Sequence, residues 1–266
     1  MRTLFVRIDD YKKMKISRLI ILIAVLVLLA VFLWAASKTG AVIEISSFST
    51  KVSGRTLHQA ENLRIALSKI DGTLLKPNEV FSFNTIVGER LRQWGYKGAP
   101  TIYQGQIIDT PGGGICQLSS TIYGAALYSG MEILERKPHL YTISSVAPGL
   151  DAAILYDKID LKFKNTLPHM VLIKGEMTDN LLTIRFFASK EPDYQISIDI
   201  QQLQVYKALD MPLERELQKI PAHGIDGVKV KVIRTVSYDK KDIPQKIELI
   251  SIDTYKPVPG GRMVEE

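Results

Sequence analysis

The sequence predicts an α+β protein: an N-terminal transmembrane helix, then an extracytoplasmic domain in which a helix-borne cysteine packs on an antiparallel sheet. Three observations predict it. An uncharged apolar run, Leu19–Ala36, follows a basic tail. Helical periodicity is confined to two segments before Gly130. Alternating patterns dominate after His139. Helices early and antiparallel strands late favour segregated α+β layers over a parallel α/β sheet.

The run Leu19–Ala36 has no charged residue, and its length as a helix matches a hydrocarbon core of about 30 Å. Lys12, Lys13, Lys15 and Arg18 crowd its N-terminal flank, while Lys38 stands alone beyond it. The positive-inside rule then puts the N-terminus in the cytoplasm and everything after about residue 40 outside, as a single-pass cell-membrane protein. A cleaved signal peptide is the rival reading, with small residues at Ala35-Ala36-Ser37 and a run longer than the usual apolar region. The tail 1–18 carries six Lys and Arg against two Asp, most of the chain's +6. The remainder is nearly neutral, which excludes a nucleic-acid footprint.

Residues 37–55 read as a linker, with Gly40–Arg55 a short strand or extended segment. Thr56 and Gln59 make a capping box. Leu57, Ala60, Leu63, Leu67 and Ile70 recur at helical spacing up to Gly72. Pro77-Asn78 marks a turn, Val80–Phe83 a strand, and a polar, Gly-containing stretch runs to Pro111. A second helix covers Gln117–Ser129, closed by Gly130. Strands are expected at Leu140–Ser145, Asp151–Tyr156, Asp160–Lys164, Met170–Lys174 and Leu181–Phe187, with Thr178-Asp179-Asn180 a hairpin turn. Val228–Tyr238 and Ile247–Ile252 add strands around a charged turn. The main domain is set at 56–190, and a C-terminal β extension at 191–266.

The chain has one cysteine, Cys116, so no disulfide forms within it. Three glycines, Gly112–Gly114, lead into that cysteine at a helix start. Glycine allows close backbone approach, and a helix N-terminus offers free N–H groups and partial positive charge. Both favour a thiolate nucleophile and donors for an oxyanion. His139 follows 23 residues later and Asp151 another 12. On neighbouring strands they would complete a Cys–His–Asp triad, the arrangement of papain-like and transglutaminase-like folds by analogy. The bland readings stay open: a small buried Cys, a surface His, a capping Asp. His58, His169 and His223 form no metal motif, the glycines match no phosphate-loop pattern, and neither metal nor cofactor is expected.

These residues resemble the VanW family. The matching stretches are Phe81-Ser82-Phe83-Asn84, Gly88-Glu89-Arg90, Gly95-Tyr96, Ala99-Pro100, Gly105, Gly112 through Tyr123, Glu135-Arg136, His139, and Gly149 through Ala152. The likeness runs from about Thr56 to Phe187, and Val230–Pro259 resembles sequence that often follows this domain. Gly124 departs from a common Asn, Leu140 from a Ser and Ala153 from a Thr. The resemblance implies a cell-envelope setting linked to glycopeptide resistance. It also implies an L,D-transpeptidase-like cysteine acyltransferase whose partners are peptidoglycan stem peptides. Cys116, His139 and Asp151 then carry catalysis, and Gly114, Gln117 and Ser119 flank the oxyanion. Arg90 or Arg136 would bind a substrate carboxylate, or form a structural ion pair. A Cys peptidase or amidase and a non-catalytic envelope scaffold are the alternatives.

Overall fold

The computed structural model describes residues 42–103, 106–208, 210–213, 224–240, 242–258 and 260–263. The expected span Leu19–Ala36 lies outside them; among the described residues no helix is long and apolar enough to cross a membrane. Gly105, His223 and Pro259 also lie outside. The elements run β1 (Ile43–Lys51), α1 (Leu57–Ile70), β2 (Thr73–Leu75), β3 (Val80–Ser82), α2 (Phe83–Val87), β4 (Gly98–Tyr103), β5 (Gln106–Pro111) and α3 (Cys116–Tyr128). They continue with β6 (Glu132–Glu135), β7 (Lys162–Lys164), β8 (Val171–Met177), β9 (Leu181–Ala188), β10 (Tyr194–Tyr206), β11 (Asp210–Leu213), β12 (Gly227–Tyr238), β13 (Lys246–Tyr255) and β14 (Gly260–Met263).

The central layer is an antiparallel sheet in the order β1-β9-β8-β2. Its apolar face carries Val171, Ile173, Leu182, Ile184 and Phe186, all buried. Helices α1 and α3 cover that face through Leu63, Leu67 and Ile70 of the first and Leu118, Ile122 and Leu127 of the second. Thr56 caps α1 with the reciprocal bonds to Gln59 that the sequence implies. The segment read as a linker holds strand β1 from Ile43 to Lys51, which pairs with β9 along its length. Ser46 and Thr50 of β1 bond Ala125 O and Thr121 Oγ1 of α3, at 2.9 Å each. At Gly124 a Cβ would meet the Phe48 ring of β1 at 2.4 Å, so this helix position takes no larger residue while Phe48 stays.

Two smaller sheets flank the first. One, β3-β7-β6, stacks Phe81 on Phe163 at 4.6 Å, and Phe163 reaches Phe186 at 5.7 Å. The other, β10-β12-β13, is the C-terminal antiparallel sheet. Its β12 face of Val230, Val232 and Arg234 turns inward. A Cβ on Gly149 would strike Val232 Cγ2 at 2.5 Å, so the backbone at Gly149 packs directly on valine side chains of this sheet. Arg234, 6% exposed, donates through Nη1 to Met131 O at 2.8 Å and through Nε to Glu248 at 2.6 Å. A buried cation at the α3 C-terminus meets the partial negative charge of the last carbonyls.

Two expected strands do not form. Leu140–Ser145 and Asp151–Tyr156 are irregular apart from a bridge between Leu155 and Ile159. Here backbone groups bond side chains in place of a ladder: His139 N–H goes to Asp151 Oδ2, Ala152 N–H to Ser120 Oγ, and Arg136 Nε to Asp151 O. The hairpin of β4 and β5 stands where only a polar stretch was read. Strands β6 and β10 are likewise additions, while the turn at Thr178–Asn180 joins β8 to β9 as expected.

Replacing Arg234 by Ala leaves Glu248 without its buried partner and Met131 O, just beyond α3, without this donor. The expected loss is about 3 kcal/mol, measured as a shift of the urea midpoint. A loss within about 0.5 kcal/mol, the range of ordinary surface changes, would refute this anchoring role.

Candidate active site around Cys116

Cys116 opens helix α3 and is half-buried. The glycine turn before it is held from α1. Asn62, fully buried, donates to Lys97 O at 3.0 Å and Gly113 O at 3.1 Å and accepts from Lys97 N–H at 2.8 Å. A Cβ at Gly113 would sit 2.3 Å from Ala99 O, a backbone atom that cannot swing aside. Gly114 has φ +98° and rests on Gln59, so both positions require glycine. Neither Gly114 nor Cys116 gives its N–H to a backbone carbonyl among the described residues, which leaves two unbonded amides at the start of α3.

His139 reaches the sulfur and Asp151 reaches His139, although neither lies on a strand. His139 Nδ1 and Asp151 Oδ2 are 2.6 Å apart, and the His139 backbone N–H reaches the same oxygen at 2.6 Å. With Nδ1 occupied, Nε2 is the nitrogen left for the sulfur. Burial opposes charge on both groups. For Cys116 the imidazole contact and the nearby Arg90 outweigh it, and the thiol pKa falls below its ordinary value. For His139 the bonds to Asp151 and the sulfur outweigh it, and the pKa rises to about 10. Both shifts favour the thiolate–imidazolium form of the pair. Cys116 Sγ also lies 3.8 Å from Ile154 O.

Asp151 is 1% exposed. Burial pushes its carboxyl up, but the His139 bond and the Arg136 charge hold it below the usual range. Arg136 Nη2 donates to Oδ1 at 2.8 Å, and the Tyr255 hydroxyl donates to the same oxygen. Arg136 also pairs with Asp253 and lies over the Tyr123 ring at 5.1 Å. It is thus a buried ion pair, 5% exposed, and unavailable to a substrate. Of its two sequence readings, a structural ion pair is the one these contacts describe. Asp253 and Tyr255, both on β13, were missed: nothing local in the sequence ties them to a carboxylate a hundred residues away.

Gln117 and Ser119 are corrected as oxyanion contacts. The Gln117 N–H goes to Gly114 O at 3.1 Å. Its side chain is spent on Thr50, Lys51 O and Arg55. Ser119 is fully buried and donates to Ala152 O at 2.6 Å, and Ser120 bonds Cys116 O and Ala152 N–H. The two serines tie the Asp151 loop to the first turn of α3. Arg90 donates through Nη1 to Asn84 Oδ1 and Gly88 O and pairs with no carboxylate among the described residues. Among those residues no cluster of three or more His, Cys, Asp or Glu could hold a metal ion. A cleft of about 630 Å³, lined by His169, Tyr194, Arg234 and Glu248 among others, lies on the far end of α3.

Comparison with known proteins finds a match over the part of the chain that holds these residues. A family model described as VanW like protein matches residues 58–187. Uncharacterized protein YoaR of Bacillus subtilis is 33% identical over 146 residues, covering 55% of this chain and 48% of that protein. Vancomycin B-type resistance protein VanW of Enterococcus faecalis is 31% identical over 136 residues, covering 49% of this chain and 50% of that protein. The chain thus spans about half the length of the curated relatives it matches. No solved structure matches. Cys116, His139 and Asp151 all fall inside the matched segment, and over residues 58–187 the chain carries a VanW-like domain.

Proposed function

We propose that this chain is a membrane-anchored cysteine acyltransferase of the cell envelope, L,D-transpeptidase-like, acting on peptidoglycan stem peptides. The observation that carries it is the line from Asp151 through His139 to a cysteine at a helix N-terminus. The name of the Enterococcus faecalis relative supports an envelope setting. The uncharged run Leu19–Ala36 supports a tether with the domain outside.

The chemistry follows from the charges. The Cys116 thiolate attacks a peptide carbonyl carbon, and a C–S bond forms. The free N–H groups of Cys116 and Gly114 face the developing oxyanion. The C–N bond breaks, the imidazolium of His139 gives its proton to the leaving amine, and a thioester remains. An amine of a second stem then attacks, loses a proton to His139 and releases the thiolate. Asp151 orients the ring throughout.

Incubating the full-length chain with disaccharide-tetrapeptides is expected to yield dimers whose mass is two donors less one amino acid. Cys116→Ser should abolish them. Undiminished dimer from that variant would sink the mechanism.

Thiol labelling tests the ion pair. At pH 6.5 a thiol of ordinary pKa near 8.5 is only about 1% ionised. His139→Ala should therefore slow iodoacetamide labelling of Cys116 at that pH by about tenfold or more. Equal rates would mean that the imidazole does not hold the thiolate.

The pH profile follows from the same two shifts. As pH falls, the lowered thiol regains its proton and activity drops on the acid side. As pH rises through about 10, His139 loses the proton that the leaving amine needs, and activity drops again. The expected cross-linking profile is bell-shaped with its alkaline limb near 10; an alkaline limb near the ordinary histidine value, 6.5, would contradict the pairing with Asp151.

A further inference from the structure

Two guanidinium groups near Cys116 have no carboxylate within ion-pair distance among the described residues. Arg55 lies in the turn before α1. Its Nε donates to Gln117 Oε1 at 2.8 Å, and that amide is fixed in turn by bonds to Thr50 Oγ1 at 2.9 Å and Lys51 O at 2.8 Å. Arg90 is fixed by Asn84 Oδ1 at 2.8 Å and Gly88 O at 3.0 Å, and lies over the Tyr156 ring at 5.6 Å. Its stem packs on the glycine turn, where a Cβ on Gly112 would meet Arg90 Cβ at 2.7 Å. Both side chains are half-buried.

The two are held by neutral partners alone. Among the described residues neither has a carboxylate within ion-pair distance. The Nη1 and Nη2 groups of Arg55, and Nε and Nη2 of Arg90, find no acceptor there. The other arginines fixed at the core are compensated: Arg136 by Asp151 and Asp253, Arg234 by Glu248. Both lie within charge range of Cys116, and Arg90 also within charge range of Asp160. A half-buried charge without a partner costs free energy, and pre-set guanidinium forks match a carboxylate.

We propose that Arg55 and Arg90 form a carboxylate-binding element of this site, selecting acyl donors that carry a free carboxylate beside the scissile carbonyl. This rests on Cys116 as the nucleophile. It gives Arg55 the place that the sequence offered to Arg136.

Two alkylating probes of similar size test it without the natural substrate. Iodoacetate carries a carboxylate and iodoacetamide does not; both lose iodide to the Cys116 thiolate. In the full-length chain the ratio of iodoacetate to iodoacetamide rates should fall about tenfold in R55Q/R90Q, the scale of a lost charge-assisted contact. Lysine at both positions (R55K/R90K) should retain part of the ratio, since charge survives and the fork is lost. A ratio unchanged in R55Q/R90Q overturns the proposal.

Calorimetry with an acetylated peptide ending in free D-alanine, against its amide, decides independently of the thiol. The acid should bind the wild type about tenfold more tightly than the amide, and R55Q/R90Q should remove that preference. Absence of any preference in the wild type overturns the carboxylate element. A Cys116 that neither reagent labels would instead sink the nucleophile assignment, and with it the proposal.

Discussion

The buried carboxylate of Asp151 organises the region around the cysteine. It is 1% exposed and takes donors from His139 backbone and ring, Arg136 and Tyr255. A lone carboxylate in such a place would be strongly unfavourable; four donors and two nearby cations offset that cost. The stretch around His139 and Asp151 has almost no ladder bonds of its own. Its shape comes from what the carboxylate and the serines of α3 demand.

That dependence explains which parts of the structure were legible in the sequence. The capping box at Thr56, the stop at Gly130 and the turn at Thr178–Asn180 rest on neighbours within a few residues, and local rules found them. Alternation at Leu140–Ser145 and Asp151–Tyr156 suggested strands, because period-two patterning says nothing of a partner strand. No partner is supplied there, and side chains took the backbone bonds. His139 and Asp151 were nevertheless brought together, by a carboxylate contact rather than a sheet. Asn62 was hidden differently: it is a polar residue in the buried stripe of α1, beside Leu63, Ala66 and Leu67. Arg55, Asp253 and Tyr255 gave no local sign, since their partners lie 62 to 119 residues away.

Three of these residues fall outside the segment that the family model matches, 58–187. Arg55 precedes it, and Asp253 and Tyr255 come from the C-terminal sheet. Strand β1, which precedes it too, supplies the Thr50 and Lys51 atoms that hold Gln117. The physical unit around Cys116 is therefore larger than the matched segment. The C-terminal sheet contributes a phenol to the carboxylate that orients His139, and through Arg234 it holds the far end of the helix that carries the sulfur. Both ends of α3 are thus fixed partly by β12 and β13.

Buried ion pairs are weak sources of stability, because desolvation consumes most of the Coulombic gain. Their value here is directional. A carboxylate bonded by His139 alone would compete with the ring for its proton. With Arg136 and Tyr255 also donating, the proton affinity of Asp151 is lowered while that of His139 is raised. Both shifts favour keeping the proton on the imidazole. Asp253 completes the balance: Arg136 has a second anion to answer, so its positive charge is not spent wholly against His139. In the proposed reaction this arrangement makes His139 a proton store between two acyl transfers and Asp151 a fixed support. The same physics accounts for Arg55 and Arg90 standing apart from it: were either paired with a carboxylate of the chain, the positive field at the sulfur would be cancelled where an anionic donor is to dock.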